Sequence, residues 1–132
     1  MSAADLESLV LVDSSGWIQL LRRQGDAGVR ERVREVLEDG RAAWCDIVRV
    51  ELWRGAGSDS DKAILRDFEM ELPSLDLSPA VWKLSCDLAQ RCRKKGQPIP
   101  TTDLIIYACA KAHDVDLIHH DQHFNVLASL HR

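Results

Sequence analysis

The feature that most narrows the fold is the run Leu9-Val10-Leu11-Val12, which stops at Asp13. It is short, partly β-branched and apolar at every position. A strand with one wet face would alternate, so this run reads as a strand buried on both faces, as in parallel sheets. Parallel strands need crossovers, usually helices, and the following sequence supplies them. Ser14 or Ser15 can cap a helix carrying Trp17, Ile18, Leu20 and Leu21. Gly25 and Asp26 break the chain, and Val29, Val33, Val36 and Leu37 recur at helical spacing until Gly40. Ala42-Ala43-Trp44-Cys45 is a second strand, after which Asp46 would cap a short helix holding Val50, Glu51, Leu52 and Trp53. A helix from 58–60 sets Ile64, Leu65, Phe68 and Leu72 on one side, and Leu75-Asp76-Leu77 carries a weak strand signal.

Ser78-Pro79 starts another helix, with Val81, Leu84, Leu88 and Cys92 on one stripe and Lys94, Lys95 and Gly96 at its end. Pro98 and Pro100 enforce an extended loop. Thr101 or Thr102 caps the helix over 104–112, which is apolar nearly all round and so belongs at the centre. Val115-Asp116-Leu117-Ile118-His119 is the last strand, followed by Asp121 and a short tail around Phe124. Strands alternating with helices point to one α/β domain over 1–132, with a central, mainly parallel sheet flanked by helices on both faces. A length of 132 residues suffices for a core without staples. Hydrophobic and charged shares of 45% and 29% exclude disorder or low complexity for the chain as a whole.

No apolar run approaches the roughly 20 residues of a membrane helix, so no membrane association is expected. Met1-Ser2-Ala3-Ala4-Asp5 lacks the basic start of a signal peptide, which implies a cytoplasmic location. Cys45, Cys86, Cys92 and Cys109 form no C-x-x-C pair and fit small core residues in a reducing compartment. A net charge of −4 gives no broad grip on nucleic acid. Basic residues nevertheless gather locally, at Arg22, Arg23, Arg30, Arg32 and Arg34 and again at Arg91, Arg93, Lys94 and Lys95.

Parallel α/β sheets bind ligands beyond the carboxyl ends of their strands. Asp13 and Asp121 stand there, although either could simply cap a helix or close an Asx turn. Glu51 lies among apolar neighbours and could pair with Arg54. Asp103 opens the most apolar helix, where it could serve the helix dipole. Four segments carry these acids: Leu11-Val12-Asp13-Ser14-Ser15-Gly16-Trp17-Ile18, Val50-Glu51-Leu52-Trp53-Arg54-Gly55, Thr102-Asp103-Leu104-Ile105-Ile106-Tyr107-Ala108 and His119-His120-Asp121-Gln122-His123-Phe124. In that order and spacing they resemble the PIN-domain ribonucleases, most nearly the VapC-type toxins of bacterial and archaeal toxin–antitoxin pairs.

The resemblance covers essentially the whole chain. It implies a PIN-like fold and an endoribonuclease whose Asp13, Glu51, Asp103 and Asp121 form the catalytic metal site. It further implies Mg²⁺ or Mn²⁺, RNA as substrate, a homodimer, and a cognate VapB-type antitoxin. The hydroxyl of Ser14 or Ser15 would match the small polar residue after the family's first acid. The family commonly has Thr two residues before the last acid, where this chain has His119. His123 stands two residues after it, where an acid or another polar residue is usual. These two histidines, with Ser14 and Ser15, would surround the acids.

The chemistry agrees with that implication. Phosphodiester hydrolysis loads charge on a non-bridging oxygen, an attacking water and a leaving oxygen, which hard divalent ions stabilise. Mg²⁺ prefers a few carboxylates plus water and substrate phosphate. Gathered carboxylates without a cation repel and raise each other's pKa. Glu51 would be a ligand or would position the water. A His119 facing the acids should have its pKa raised by their field. A zinc cluster of His119, His120, Asp121 and His123 is disfavoured, because neighbouring residues on a strand point to opposite faces.

Two other α/β readings fail on single positions. A receiver domain needs paired acids after the first strand and a lysine after the last, and here Ser14-Ser15 follow Asp13 and no lysine lies beyond Lys111. A D-x-D phosphatase needs an acid where Ser15 stands. A PIN-like scaffold that binds RNA or protein without cutting is the alternative, and loss of an acid would mark it; all of them are present.

Overall fold

The computed structural model describes residues 9–131. At its centre lies β1 (Val10–Val12), flanked by β2 (Ala42–Ala43) on one side and β3 (Asp116–Ile118) on the other. Both pairings are parallel, with Leu11 opposite Ala43 and Leu117. Successive strand side chains point to opposite faces, and Val10, Leu11 and Val12 are all buried. Both faces of the sheet are therefore covered, as the unbroken apolar run requires. The helices among the described residues are α1 (Ser14–Leu21), α2 (Ala27–Glu38), α3 (Asp46–Gly55), α4 (Asp59–Glu71), α5 (Pro79–Lys95), α6 (Thr101–Ala112) and α7 (Gln122–His131).

The helix that is apolar all round is the hub, as expected. Every residue of α6 from Asp103 to Ala110 is buried, and α6 packs against α3, α5, α7 and β3. Elsewhere in the core Trp17 meets Phe68 with ring centroids 4.7 Å apart, and Trp44 approaches Phe68 edge-on at 6.1 Å. Cys45, Cys92 and Cys109 are buried thiols and Cys86 is exposed, all unbridged. No described helix is long and apolar enough to cross a membrane. The expectation for Met1 to Asp5 lies outside the described residues.

Local chemistry departs from the sequence reading at several ends. Asp13, not Ser14 or Ser15, is the N-cap of α1. Asp46 is the first helical residue of α3 rather than its cap, and Cys45 precedes it. Thr101 and Thr102 lie inside the first turn of α6, after Pro100. The expected strand at 75–77 does not form. Trp44 N donates to Pro73 O at 3.1 Å and Leu75 N to Trp44 O at 2.8 Å. This is one bridge beside β2, and it goes no further because the partner segment enters α3 at Asp46; the Asp76 carbonyl instead meets His113 Nε2 at 2.7 Å. The tail around Phe124 is the full helix α7, with Phe124 and Leu127 buried. The break after α1 depends on Gly25, where a Cβ would lie 1.9 Å from the Gln19 carbonyl oxygen.

Candidate metal centre at the strand ends

Asp13 leaves β1 by donating its N–H to the Ile118 carbonyl at 2.9 Å. Its side chain then turns back over the start of α1, where Oδ2 accepts from both the N–H (2.9 Å) and the hydroxyl of Ser15. The residue is only 3% exposed, and Oδ1 is buried with no hydrogen-bond partner among the described residues. A buried polar atom in that state costs about 1–3 kcal/mol unless something engages it. Gly16 permits the arrangement. A Cβ there would meet Val12 Cγ1 at 3.0 Å and the Ile118 carbonyl oxygen at 3.1 Å, so any other residue would push the helix or its neighbours apart by a few tenths of an ångström.

The two serines have separate jobs. Ser15 Oγ donates to Asp13 and accepts the His120 N–H at 2.9 Å, tying the loop after β3 to the first acid. Ser14 Oγ donates to Glu51 Oε1 at 3.0 Å, tying α1 to α3. Glu51 thus turns toward the acids, where the charges of Asp13 and Asp103 bear on it. Asp103, in the first turn of α6, is 8% exposed.

His123 occupies the centre of the second half of the site. Its Nδ1 lies 2.9 Å from Asp103 Oδ2 and 3.0 Å from Asp121 Oδ1. Its backbone N–H also donates to Asp121 Oδ1 at 2.9 Å, which holds Asp121 at the head of α7. The ligand atoms of Asp103, Asp121 and His123 all fall within 4.8 Å of one another. His119 takes a different place. Its Nδ1 accepts the Asp121 N–H at 3.3 Å, and its ring leans on Phe124 with centroids 4.9 Å apart.

Charge follows geometry. Burial is the main reason the Asp13 carboxyl sits above its ordinary range, against the lowering pull of its Ser15 hydrogen bonds, with Asp121 adding repulsion. Burial likewise raises Glu51, Ser14 opposes it, and Asp13 and Asp103 push the same way as burial. Asp103 is raised by burial, eased by the His123 hydrogen bond and raised again by Asp13 and Asp121. The expectation for His119 fails. Burial lowers its pKa, with Arg32 acting in the same direction, and together they outweigh the attraction of Asp13 and Asp121.

All the acids and the flanking Ser14, Ser15, His119 and His123 named from sequence therefore lie at one end of the sheet; Asp103, Asp121 and His123 bring ligand atoms within 4.8 Å of one another, while Asp13 and Glu51 stand outside that group and act on it by charge. Oxygen donors, mutual repulsion and an unpartnered buried carboxylate oxygen form a set that suits a hard divalent cation. The basic clusters play a smaller part: Arg30 binds the Arg22 carbonyl, Arg34 pairs with Glu31 and Arg91 binds the Leu130 carbonyl. Two features escaped the sequence reading. One is Gly16, whose need is set by a contact with β3 far away in the chain. The other is an open groove of about 370 Å³ floored by Ile18, Leu52 and Leu65, with Glu51 at its wall.

A PIN domain family model matches residues 10–130. The chain is 29% identical over 126 residues to "VapC ribonuclease Mb1587" of Mycobacterium bovis, covering 92% of this chain and 93% of the relative. Among solved structures it resembles VapBC-1 from nontypeable Haemophilus influenzae, with TM-score 0.73, 21% identity and 92% of each chain covered. It also resembles VapBC2 from Rickettsia felis, solved bound to a promoter DNA fragment, with TM-score 0.71, 18% identity and coverage of 86% and 88%. These two likenesses establish a common fold.

Proposed function

The chain belongs to the PIN-domain family, and we propose that it is a VapC-type endoribonuclease, the toxin of a toxin–antitoxin pair. It hydrolyses RNA phosphodiester bonds at the site built from Asp13, Glu51, Asp103 and Asp121. The single observation that carries this reading is Asp13: a carboxylate 3% exposed, with Oδ1 unpartnered, whose charge couples to the other three acids. A fold that merely needed a helix cap would not surround it with more acid. The 29% identical relative named as a ribonuclease supports the same assignment.

In this reading Asp13, Asp103 and Asp121 hold Mg²⁺ or Mn²⁺, and Glu51 either joins them or positions the attacking water. The ion, when bound, polarises the phosphoryl oxygen and lowers the pKa of water. Ser15 fixes which Asp13 oxygen stays free, and Ser14 fixes the reach of Glu51. Residues Asp121 and His123 hold the far wall. A cognate VapB-type antitoxin would lay an apolar segment along the groove beside Glu51 and place a basic side chain against the acids, since a guanidinium bridges carboxylates bidentately. The active species is a homodimer in the cytoplasm.

The test is RNA cleavage by the full chain freed of antitoxin. Cleavage should vanish with EDTA, return with Mg²⁺ or Mn²⁺, and be absent from Asp103→Asn. EDTA-resistant cleavage overturns the metal site. RNA binding without cleavage in any divalent ion would instead make the chain a non-catalytic PIN-like module.

A further inference from the structure

His123 is not an outlying polar neighbour of the acids; its ring nitrogen lies between two of them. Nδ1 stands 2.9 Å from Asp103 Oδ2 and 3.0 Å from Asp121 Oδ1. Ligands at about 2.1 Å in an octahedron lie about 3 Å apart along each edge. Both measured separations match that edge. Nδ1 reaches the two oxygens through the one hydrogen it can carry. An ion seated in that hydrogen's place leaves the proton on Nε2, on a side chain that is 40% exposed.

Resting on the acidic site proposed above, we propose that His123 is itself a metal ligand, through Nδ1, and that it tunes this chain's site toward a first-row transition ion such as Mn²⁺ over Mg²⁺. Mg²⁺ is hard, favours oxygen and sheds water reluctantly; imidazole nitrogen is a better donor to transition ions. A buried carboxylate oxygen, Asp13 Oδ1, has no partner among the described residues; Asp13 lies outside this 4.8 Å group, and its charge acts on Asp103 and Asp121. His119 does not offer Nδ1 for this role, since that atom already accepts the Asp121 N–H.

The test reads metal binding directly. Mn²⁺ is titrated into the full chain and followed by electron paramagnetic resonance, with Mg²⁺ as competitor. Pulsed spectra of the bound ion are compared for protein with ordinary and ¹⁵N-labelled histidine. Wild type should bind Mn²⁺ at least about tenfold tighter than Mg²⁺, with a nitrogen coupling that changes on labelling. His123→Gln should lose that coupling, His119→Thr should keep it, and His123→Asp should shrink the Mn²⁺/Mg²⁺ ratio to about threefold or less. Bound Mn²⁺ without nitrogen coupling in wild type, a measurement that needs no variant to fold, overturns the role of His123 while leaving the carboxylate site intact. An unchanged ratio in His123→Asp overturns it equally. Failure of wild type to bind either ion removes the carboxylate site and this inference with it.

Discussion

Replacing Asp13 separates its two roles, capping a helix and holding a cation. Asn and Asp are equal N-caps, whereas Ala at such a position costs about 1 kcal/mol. In Asp13→Asn the amide oxygen can still accept from Ser15, and the buried charge that Asp121 opposes is gone. In Asp13→Ala the Ser15 N–H and hydroxyl both lose their acceptor, adding about 1 kcal/mol for the part-buried donors. Relief of the buried charge offsets part of this, leaving a net loss of about 1–2 kcal/mol, or about 4–8 °C at roughly 4 °C per kcal/mol for a chain of this length. Without metal, then, Asp13→Asn should melt at or above wild type and Asp13→Ala several degrees below it. Metal at about ten times its Kd should stabilise wild type by about 1.4 kcal/mol, or about 6 °C, and neither variant to that extent. RNA cleavage should fall at least about a hundredfold in both, since the ion contributes several kcal/mol and each ~1.4 kcal/mol is tenfold. Differential scanning fluorimetry with and without Mn²⁺, beside a cleavage assay, reads all of this. An Asp13→Asn protein that melts well below wild type, yet keeps the full metal-induced rise, would refute the reasoning.

The raised carboxyls of Asp13, Glu51 and Asp103 imply a sign for pH. The folded state holds their protons more tightly than the unfolded chain, so the metal-free protein loses their contribution as pH rises above the ordinary values of 3.8 and 4.5 through the raised ones. Urea unfolding from about pH 4 to 8 should therefore show wild type falling behind Asp13→Asn as pH increases; a constant gap would contradict the shift. Gly16→Ala places a methyl 3.1 Å from the Ile118 carbonyl, which should cost about 1–3 kcal/mol and weaken cleavage by moving Asp13; a melting temperature equal to wild type would show that α1 has room to shift. His119→Thr should leave the Mn²⁺/Mg²⁺ ratio of cleavage unchanged, because the ring packs on Phe124 and accepts the Asp121 N–H; a ratio that moves with this variant would place His119 against the ion.

Much of the layout is written in local patterns. The unbroken apolar run at β1, the all-apolar α6 and the alternation of strands and helices depend on periodicity, which any window of the chain carries; the first two are present as read, and the alternation holds except at 75–77, so that four helices separate β2 from β3. Asp13, Asp103 and Asp121 were legible because each stands at a strand end or helix start, where side chains converge at the edge of a parallel sheet; Glu51, in the middle of α3, was legible only as an acid among apolar neighbours and through the family resemblance. Helix ends were less legible, since Asp13, Ser14 and Ser15 are all good caps and only the pull of Glu51 and the His120 N–H assigns each its partner. The strand at 75–77 failed for a similar reason: its only partner segment turns into α3 at Asp46, directly after the Trp44–Ser74 bridge. Likewise α7 was underread because Phe124, Leu127 and Leu130 gain their meaning from the core they cover. The roles of the histidines were decided entirely by tertiary structure. His119, His120 and His123 are near neighbours in sequence, yet one packs on Phe124, one lends only its backbone to Ser15, and one enters the acids. Spacing along a chain sets which residue types are available at a site; the direction of a side chain, and whether burial or charge governs its proton, is settled only when distant segments close around it.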